Sequence, residues 1–140
     1  MGVGTLDHYS IRTLKLDETR DFYVNIMGFS VGYRPRFDFP GVWLYNGDHA
    51  VVHVVGFDPD NPQATIDYLG ERGDISQTGS GTLDHLAFVA DDLPDLYRRL
   101  EGSTLEWTER TVPDVGLHQV FLKDPNDVTI ELNFPAAEKR

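Results

Sequence analysis

One short stretch of this chain occurs twice, and that repetition restricts the fold more than any other feature. Leu6-Asp7-His8-Tyr9-Ser10-Ile11 returns as Leu83-Asp84-His85-Leu86-Ala87-Phe88 at an offset of 77 residues, and Leu16 and Leu93 keep the same offset. The 140 residues therefore read as two related units rather than one undivided run. Between the units lie residues 58–80, with Pro59, Pro62, Gly70, Gly73 and Gly79. That stretch is rich in turn formers and is read as a connector, with a short helical turn at 62–69.

Each unit carries the same order of local signals. Residues 5–12 alternate, with His8, Ser10 and Arg12 on one face and Tyr9 and Ile11 on the other, as a half-buried strand requires. Asp17 is placed to cap a helix that runs to Met27 with Phe22, Tyr23, Ile26 and Met27 as its apolar stripe; Gly28 stops it. Strands are expected at 29–36, 41–46 and 50–56, the last two joined by Asn46-Gly47. In the second unit residues 82–90 alternate, Pro94 opens a helix striped by Leu93, Leu96, Tyr97 and Leu100, and Gly102 ends it. Strands at 104–111, 117–123 and 127–133 follow, with a turn at 124–127. Strand–helix–three strands, twice, is an α+β pattern.

Composition narrows the chemistry. With no cysteine the chain has no thiolate metal site, disulfide or cysteine nucleophile, so a metal here must be held by imidazole and carboxylate. The formal charge of −11 argues against a protein that tracks nucleic-acid phosphates or an anionic membrane surface. No apolar run approaches a membrane span, and the N-terminus lacks a basic-then-apolar leader. The expectation is a cytoplasmic domain without nucleic-acid or membrane partners.

Four polar residues sit where strand cores are expected. His8 and His85 occupy matched positions. His53 interrupts Val51-Val52-His53-Val54-Val55, and Glu131 interrupts Val128-Thr129-Ile130-Glu131-Leu132 at an offset of 78 from His53. A carboxylate amid apolar strand residues is costly unless it is paired or binds a metal. Two such groups per unit suit a divalent first-row ion, and two histidines with one carboxylate is also the facial pattern of non-haem iron oxygenases. Arg12 shares the face of His8 and is placed to clamp a substrate carboxylate, or else to form a surface ion pair. Arg34 and Arg36 line an entrance for an anionic substrate or are ordinary loop charges. Trp43 and Tyr45 share a strand face and are assigned to the core before a substrate platform. His49, beside the Asn46-Gly47 turn, reads as solvent-exposed, and the direction of His118 depends on which face of its strand looks inward.

These residues resemble the vicinal oxygen chelate superfamily, which includes glyoxalase I, extradiol dioxygenases, methylmalonyl-CoA epimerase, and fosfomycin- and bleomycin-resistance proteins. The likeness rests on Leu6 to Arg12, on Thr19-Arg20-Asp21-Phe22-Tyr23 through Met27-Gly28-Phe29, on Leu83 to Phe88, and on Gln119 to Asn126 with Ile130 to Phe134. It implies tandem βαβββ modules (about 5–57 and 81–134) in one domain over 1–140, forming a cup-shaped open barrel around a metal site. By the same resemblance His8, His85 and Glu131 are metal ligands, and His53 is either a fourth ligand or an acid/base. His53 and Glu131 are then the proton-moving candidates, and Arg12, Arg36 and Phe121 the substrate contacts. Phe121 stands where extradiol dioxygenases carry a tyrosine, and His53 where bacterial glyoxalase I places a glutamate.

The implied function is a divalent-metal enzyme (Fe, Mn, Ni, Co or Zn) acting on a small molecule that chelates the ion through neighbouring oxygens. A glyoxalase-type lyase or isomerase comes first. An iron(II) extradiol-type ring-cleaving dioxygenase is the alternative, and a metal-free antibiotic-binding resistance protein the third reading. The resemblance also implies a homodimer and a small-molecule partner of anionic character.

Overall fold

The computed structural model describes residues 2–71 and 78–139, so Gly73 and the middle of the expected connector lie outside the described residues. The chain divides into two compact units, Met1–Gln77 and Thr78–Arg140. Both are built alike, as the repeat requires.

In the first unit the order is β1 (Tyr9–Thr13), α1 (Leu16–Asn25), β2 (Ser30–Val31), β3 (Gly41–Asn46), β4 (His49–Gly56) and α2 (Gln63–Leu69). The sheet order is β1-β4-β3-β2, with β1 parallel to β4 and the other pairs antiparallel. The helix α1 carries the chain from one edge strand to the other, the crossover that same-direction strands demand. Period-two alternation decides what it covers. Ile11, Thr13, Val42, Leu44, Val52 and Val54 are buried with Phe22, Tyr23 and Ile26, whereas Ser10, Arg12, Trp43, Tyr45 and His53 are on the opposite, open face.

Two local expectations change. The N-cap of α1 is Lys15, with no side-chain cap; Asp17 lies in the first turn, where its charge still favours the helix N-terminus. Only Ser30–Val31 of the expected 29–36 pairs as a strand. Pro35 has no N–H to donate, and the chain beyond Gly32 builds an aromatic cluster instead. The Arg34 guanidinium sits over the Phe37 and Phe39 rings at 4.8 and 5.1 Å and donates from Nη2 to the Phe39 carbonyl at 3.0 Å. Tyr68 of α2, the helix foreseen at 62–69, packs on the same two rings. Gly41 permits this, because a Cβ there would stand 2.5 Å from the Val54 carbonyl oxygen and 2.8 Å from Arg34 Nη2.

The second unit runs β5 (Leu86–Val89), α3 (Leu93–Glu101), β6 (Trp107–Val112), β7 (Leu117–Lys123) and β8 (Thr129–Pro135). Its sheet order, β5-β8-β7-β6, repeats the first with β5 parallel to β8. Leu93, Leu96 and Leu100 of α3 are buried with Val120, Leu122, Ile130, Leu132 and Phe134. Asp92, in the left-handed region at φ 61°, caps α3 by accepting from the Asp95 N–H at 3.3 Å, and Pro94 stands in the first turn as expected. The turn into β8 is organised by buried Asp124, whose Oδ1 accepts from the N–H groups of Asn126 and Val128 at 2.8 and 3.0 Å. Neither sheet closes on itself, and among the described residues no helix is long and apolar enough to cross a membrane.

Candidate metal centre

The repeated Leu-Asp-His segment does the same thing in both units. His85 Nδ1 donates to Asp84 Oδ2 at 2.8 Å, and His8 Nδ1 to Asp7 Oδ2 at 2.6 Å. A carboxylate only accepts, so each bond fixes the tautomer and leaves Nε2 with a free lone pair. An aspartate that orients an imidazole in this way is the usual support of a metal-binding histidine. The bond to Asp84 pushes the His85 imidazole above its ordinary pKa, and the bond to His8 holds Asp7 below the usual carboxylate range.

In the second unit His85 Nε2 stands 3.5 Å from Glu131 Oε1. That is too long for a good hydrogen bond. It matches the spacing of two donors on one ion: ligand atoms about 2.1 Å from a tetrahedral zinc lie about 3.4 Å apart. Glu131 is only 9% exposed, and its other oxygen accepts from Asn133 Nδ2 at 2.9 Å. The donor set and its spacing therefore fit a divalent cation.

In the first unit the His8 and His53 rings stack with centroids 3.7 Å apart and planes 12° apart. Trp43 stacks on the other side of His53 at 3.7 Å and 9°. Imidazole lone pairs lie in the ring plane, so two stacked, nearly parallel rings do not aim at a single ion. Burial, with the neighbouring His8, pushes the His53 pKa down, although a hydrogen bond to the Ala50 backbone pulls the other way. Among the described residues no three His, Asp or Glu side chains gather as a metal cage. The four candidates stand as two pairs, one per unit.

The remaining expectations divide. Arg12 is on the open face with its guanidinium over the Phe57 ring at 5.0 Å, and its buried Nε has no hydrogen-bond partner among the described residues. Among the described residues it forms no ion pair. Arg36 is exposed, whereas Arg34 is held inside the aromatic cluster and lines no entrance. Phe121 faces the open side beside Glu131 in the β7–β8 register, with Arg110 over its ring at 5.3 Å. A cavity of about 880 Å³ opens here, lined by Leu105, Glu106, Thr108, Phe121, Lys123 and Thr129. Trp43 and Tyr45, assigned to the core by sequence, lie on the open face because Val42 and Leu44 take the inward phase of β3.

His118 turns the other way. It is 2% exposed on the helix side of β7, with Nε2 at 2.8 Å from Glu109 Oε1 and Nδ1 at 2.8 Å from Thr111 Oγ1. Tyr97, Trp107 and Lys139 also donate to Glu109. Burial raises the Glu109 pKa, but these donors outweigh it and bring the carboxyl from the ordinary 4.5 down to about 2. Unfolded chain binds more protons than folded chain between those values. The stabilisation is therefore present above pH 4.5 and lost as the pH falls toward 2. Discounted for solvent screening, it amounts to about 1–2 kcal/mol. Glu109→Gln should lower the urea midpoint at pH 7, and the gap to the wild type should shrink below pH 4.5 and close only near pH 2; an equal gap at pH 7 and pH 3 would refute this.

Several contributors escaped sequence reading. Asp7 and Asp84 had a visible signal, their repetition beside the histidines. His49 is solvent-exposed as expected, and its Nε2 lies 2.5 Å from the Asp7 carbonyl oxygen and 3.5 Å from Asp7 Oδ1, so it buttresses the Asp7–His8 pair. Asn133 and Gln119 had no signal apart from strand phase.

Comparison with known proteins agrees with this architecture. The model of the Glyoxalase/Bleomycin resistance protein/Dioxygenase superfamily matches residues 5–132. Glyoxylase I 4 of Arabidopsis thaliana is 23% identical over 131 residues, covering 91% of this chain and 69% of the relative. Mitochondrial methylmalonyl-CoA epimerase of Dictyostelium discoideum is 28% identical over 145 residues, covering 94% and 79%. The fosfomycin resistance protein FosX of Listeria monocytogenes superposes with a TM-score of 0.66 at 17% identity, over 99% of this chain and 98% of that one, a likeness of fold.

Proposed function

Since the chain belongs to the Glyoxalase/Bleomycin resistance protein/Dioxygenase superfamily, we propose that it is a divalent-metal-dependent lyase or isomerase acting on a small molecule with two neighbouring oxygens. The observation that carries this reading is the aspartate-oriented His85 with its free Nε2 3.5 Å from Glu131 Oε1. The two curated relatives, a glyoxylase and an epimerase by name, favour this class.

His85 and Glu131 would supply two of the ligands, and His8, oriented by Asp7 in the same way, is the ligand candidate of the first unit. A bound ion supplies Lewis acidity, polarising the substrate oxygens so that a neighbouring C–H becomes acidic. The residues of the chain do the rest. Asp7 and Asp84 keep each histidine's Nε2 free. His53, clamped between Trp43 and His8, is the proton acceptor rather than a co-ligand of His8. Arg12 offers an unpaired cation to an anionic substrate, with Phe57 beneath it. Phe121 and the cavity beside it would receive the substrate's apolar part in the second unit, and Arg36 is an exposed positive charge of the first unit that attracts an anion.

The test is metal analysis of protein purified without oxygen, together with oxygen-uptake measurements. One divalent ion per chain, lost in His85→Ala, with no substrate-dependent oxygen consumption, is the expected result. Metal-free protein that cannot be loaded would overturn the reading. Iron with oxygen uptake would move the assignment to a dioxygenase using the same residues.

A further inference from the structure

The open face of the second sheet carries a row of polar side chains that crosses three strands and ends on Glu131. Arg110 Nε donates to Gln119 Oε1 at 2.7 Å, Gln119 Nε2 donates to Asn133 Oδ1 at 3.0 Å, and Asn133 Nδ2 donates to Glu131 Oε2 at 2.9 Å. We propose that Arg110, Gln119 and Asn133 form a one-way relay that fixes Glu131 as a single-oxygen metal ligand. This rests on the metal reading above.

The direction of the row follows from its ends. A guanidinium has only donors, so it turns the Gln119 carbonyl toward itself and the Gln119 NH₂ away. That NH₂ requires an acceptor, which turns the Asn133 carbonyl toward it and the Asn133 NH₂ toward Glu131. The carboxylate, an acceptor only, closes the chain. Neither amide can flip without placing two acceptors or two donors face to face. Strand register brings the members together: Arg110 pairs with Gln119 across β6–β7, Gln119 with Asn133 across β7–β8, and Asn133 shares the face of Glu131 two residues away.

The arrangement does two things for Glu131. It occupies Oε2, so that Oε1, the oxygen facing His85, is left for the ion. It also links the carboxylate through two polarised amides to a cation with no ion pair among the described residues. Phe121 lies under that guanidinium and holds it over the sheet. The three are positioning residues: none needs to touch the substrate.

Metal-free protein titrated with cobalt(II), read by visible absorption, tests the relay. Gln119→Leu and Arg110→Leu should each raise the cobalt Kd about 10-fold and alter the absorption band as the second carboxylate oxygen becomes available. Arg110→Lys, which keeps a cationic donor on an exposed site, should restore most of the affinity and the wild-type band. The double variant Arg110→Leu/Gln119→Leu should be no worse than Gln119→Leu alone, the signature of links in series. A wild-type Kd and band in Gln119→Leu, while Glu131→Ala loses cobalt, would overturn the relay and leave the metal reading standing. Undiminished cobalt binding in Glu131→Ala would overturn both.

Discussion

Glu131→Ala protein should lose the thermal stabilisation that added cobalt(II) confers on the wild type. An ion that binds only the folded chain stabilises it by about 2.7 kcal/mol at a concentration one hundred times its Kd. For a chain of this size that is a rise in Tm of roughly 10 °C. Removing the carboxylate takes away the oxygen 3.5 Å from His85 Nε2, the proposed ligand atom, and most of that gain with it. The metal-free proteins should differ far less. Truncation leaves the Asn133 amide without the acceptor it has in Glu131 Oε2, but it also removes a carboxylate that is 9% exposed. These effects oppose each other and leave a difference within about 1 kcal/mol. Paired melting curves with and without cobalt separate the two contributions. An equal shift in variant and wild type would show that Glu131 holds no metal.

The second large effect concerns the core of the first unit. Tyr23 is fully buried on α1, edge-on to Phe22 with centroids 5.0 Å apart, stacked on Phe29 at 6.0 Å, and bonded through its hydroxyl to Tyr9 at 3.1 Å. Tyr23→Ala should destabilise this unit by about 3–5 kcal/mol, because the cavity lies among side chains that cannot close it. Tyr23→Phe should cost about 1 kcal/mol, the net worth of one hydrogen bond. Natural domains are stable by about 5–15 kcal/mol, so the alanine variant loses at least about a fifth of such a reserve. The two tryptophans fall one in each unit. In a Trp107→Phe background, Trp43 fluorescence therefore reports urea unfolding of the first unit. A Tyr23→Ala midpoint close to that of the parent would refute the assignment of Tyr23 as the keystone of this core.

Much of the architecture was legible before any coordinates. The two copies of Leu-Asp-His announced two like units, and the apolar spacing of Phe22, Tyr23 and Ile26 and of Leu93, Leu96 and Leu100 marked their helices. Both signals are local, since period 3.6 and period 2 are set by backbone geometry alone. The errors were local as well. Asp17 looks like a cap, yet Lys15 occupies that position, and the strand expected over 29–36 gives way to a cluster organised by Arg34, Phe37, Phe39 and Tyr68. A cluster assembled from two distant segments leaves no periodic trace.

The candidate site was half legible. His8, His53, His85 and Glu131 stood out as polar residues in apolar strands, and the structure gathers them as His8 with His53 and His85 with Glu131. Their partners did not stand out. Asn133, Gln119 and Arg110 are ordinary strand residues until register places them side by side.

By itself, then, the sequence determined the repeated βαβββ unit, the cysteine-free donor set and the alternation of the first strand of each unit. Each of these follows from composition or from a periodicity that the backbone imposes on near neighbours. Only the tertiary structure decided that Trp43 clamps His53 on the open face, that His118 belongs to the helix side, and that a chain of amides ends on Glu131. Those contacts depend on which strand lies beside which, and strand pairing joins residues whose separation along the chain carries no information about their meeting.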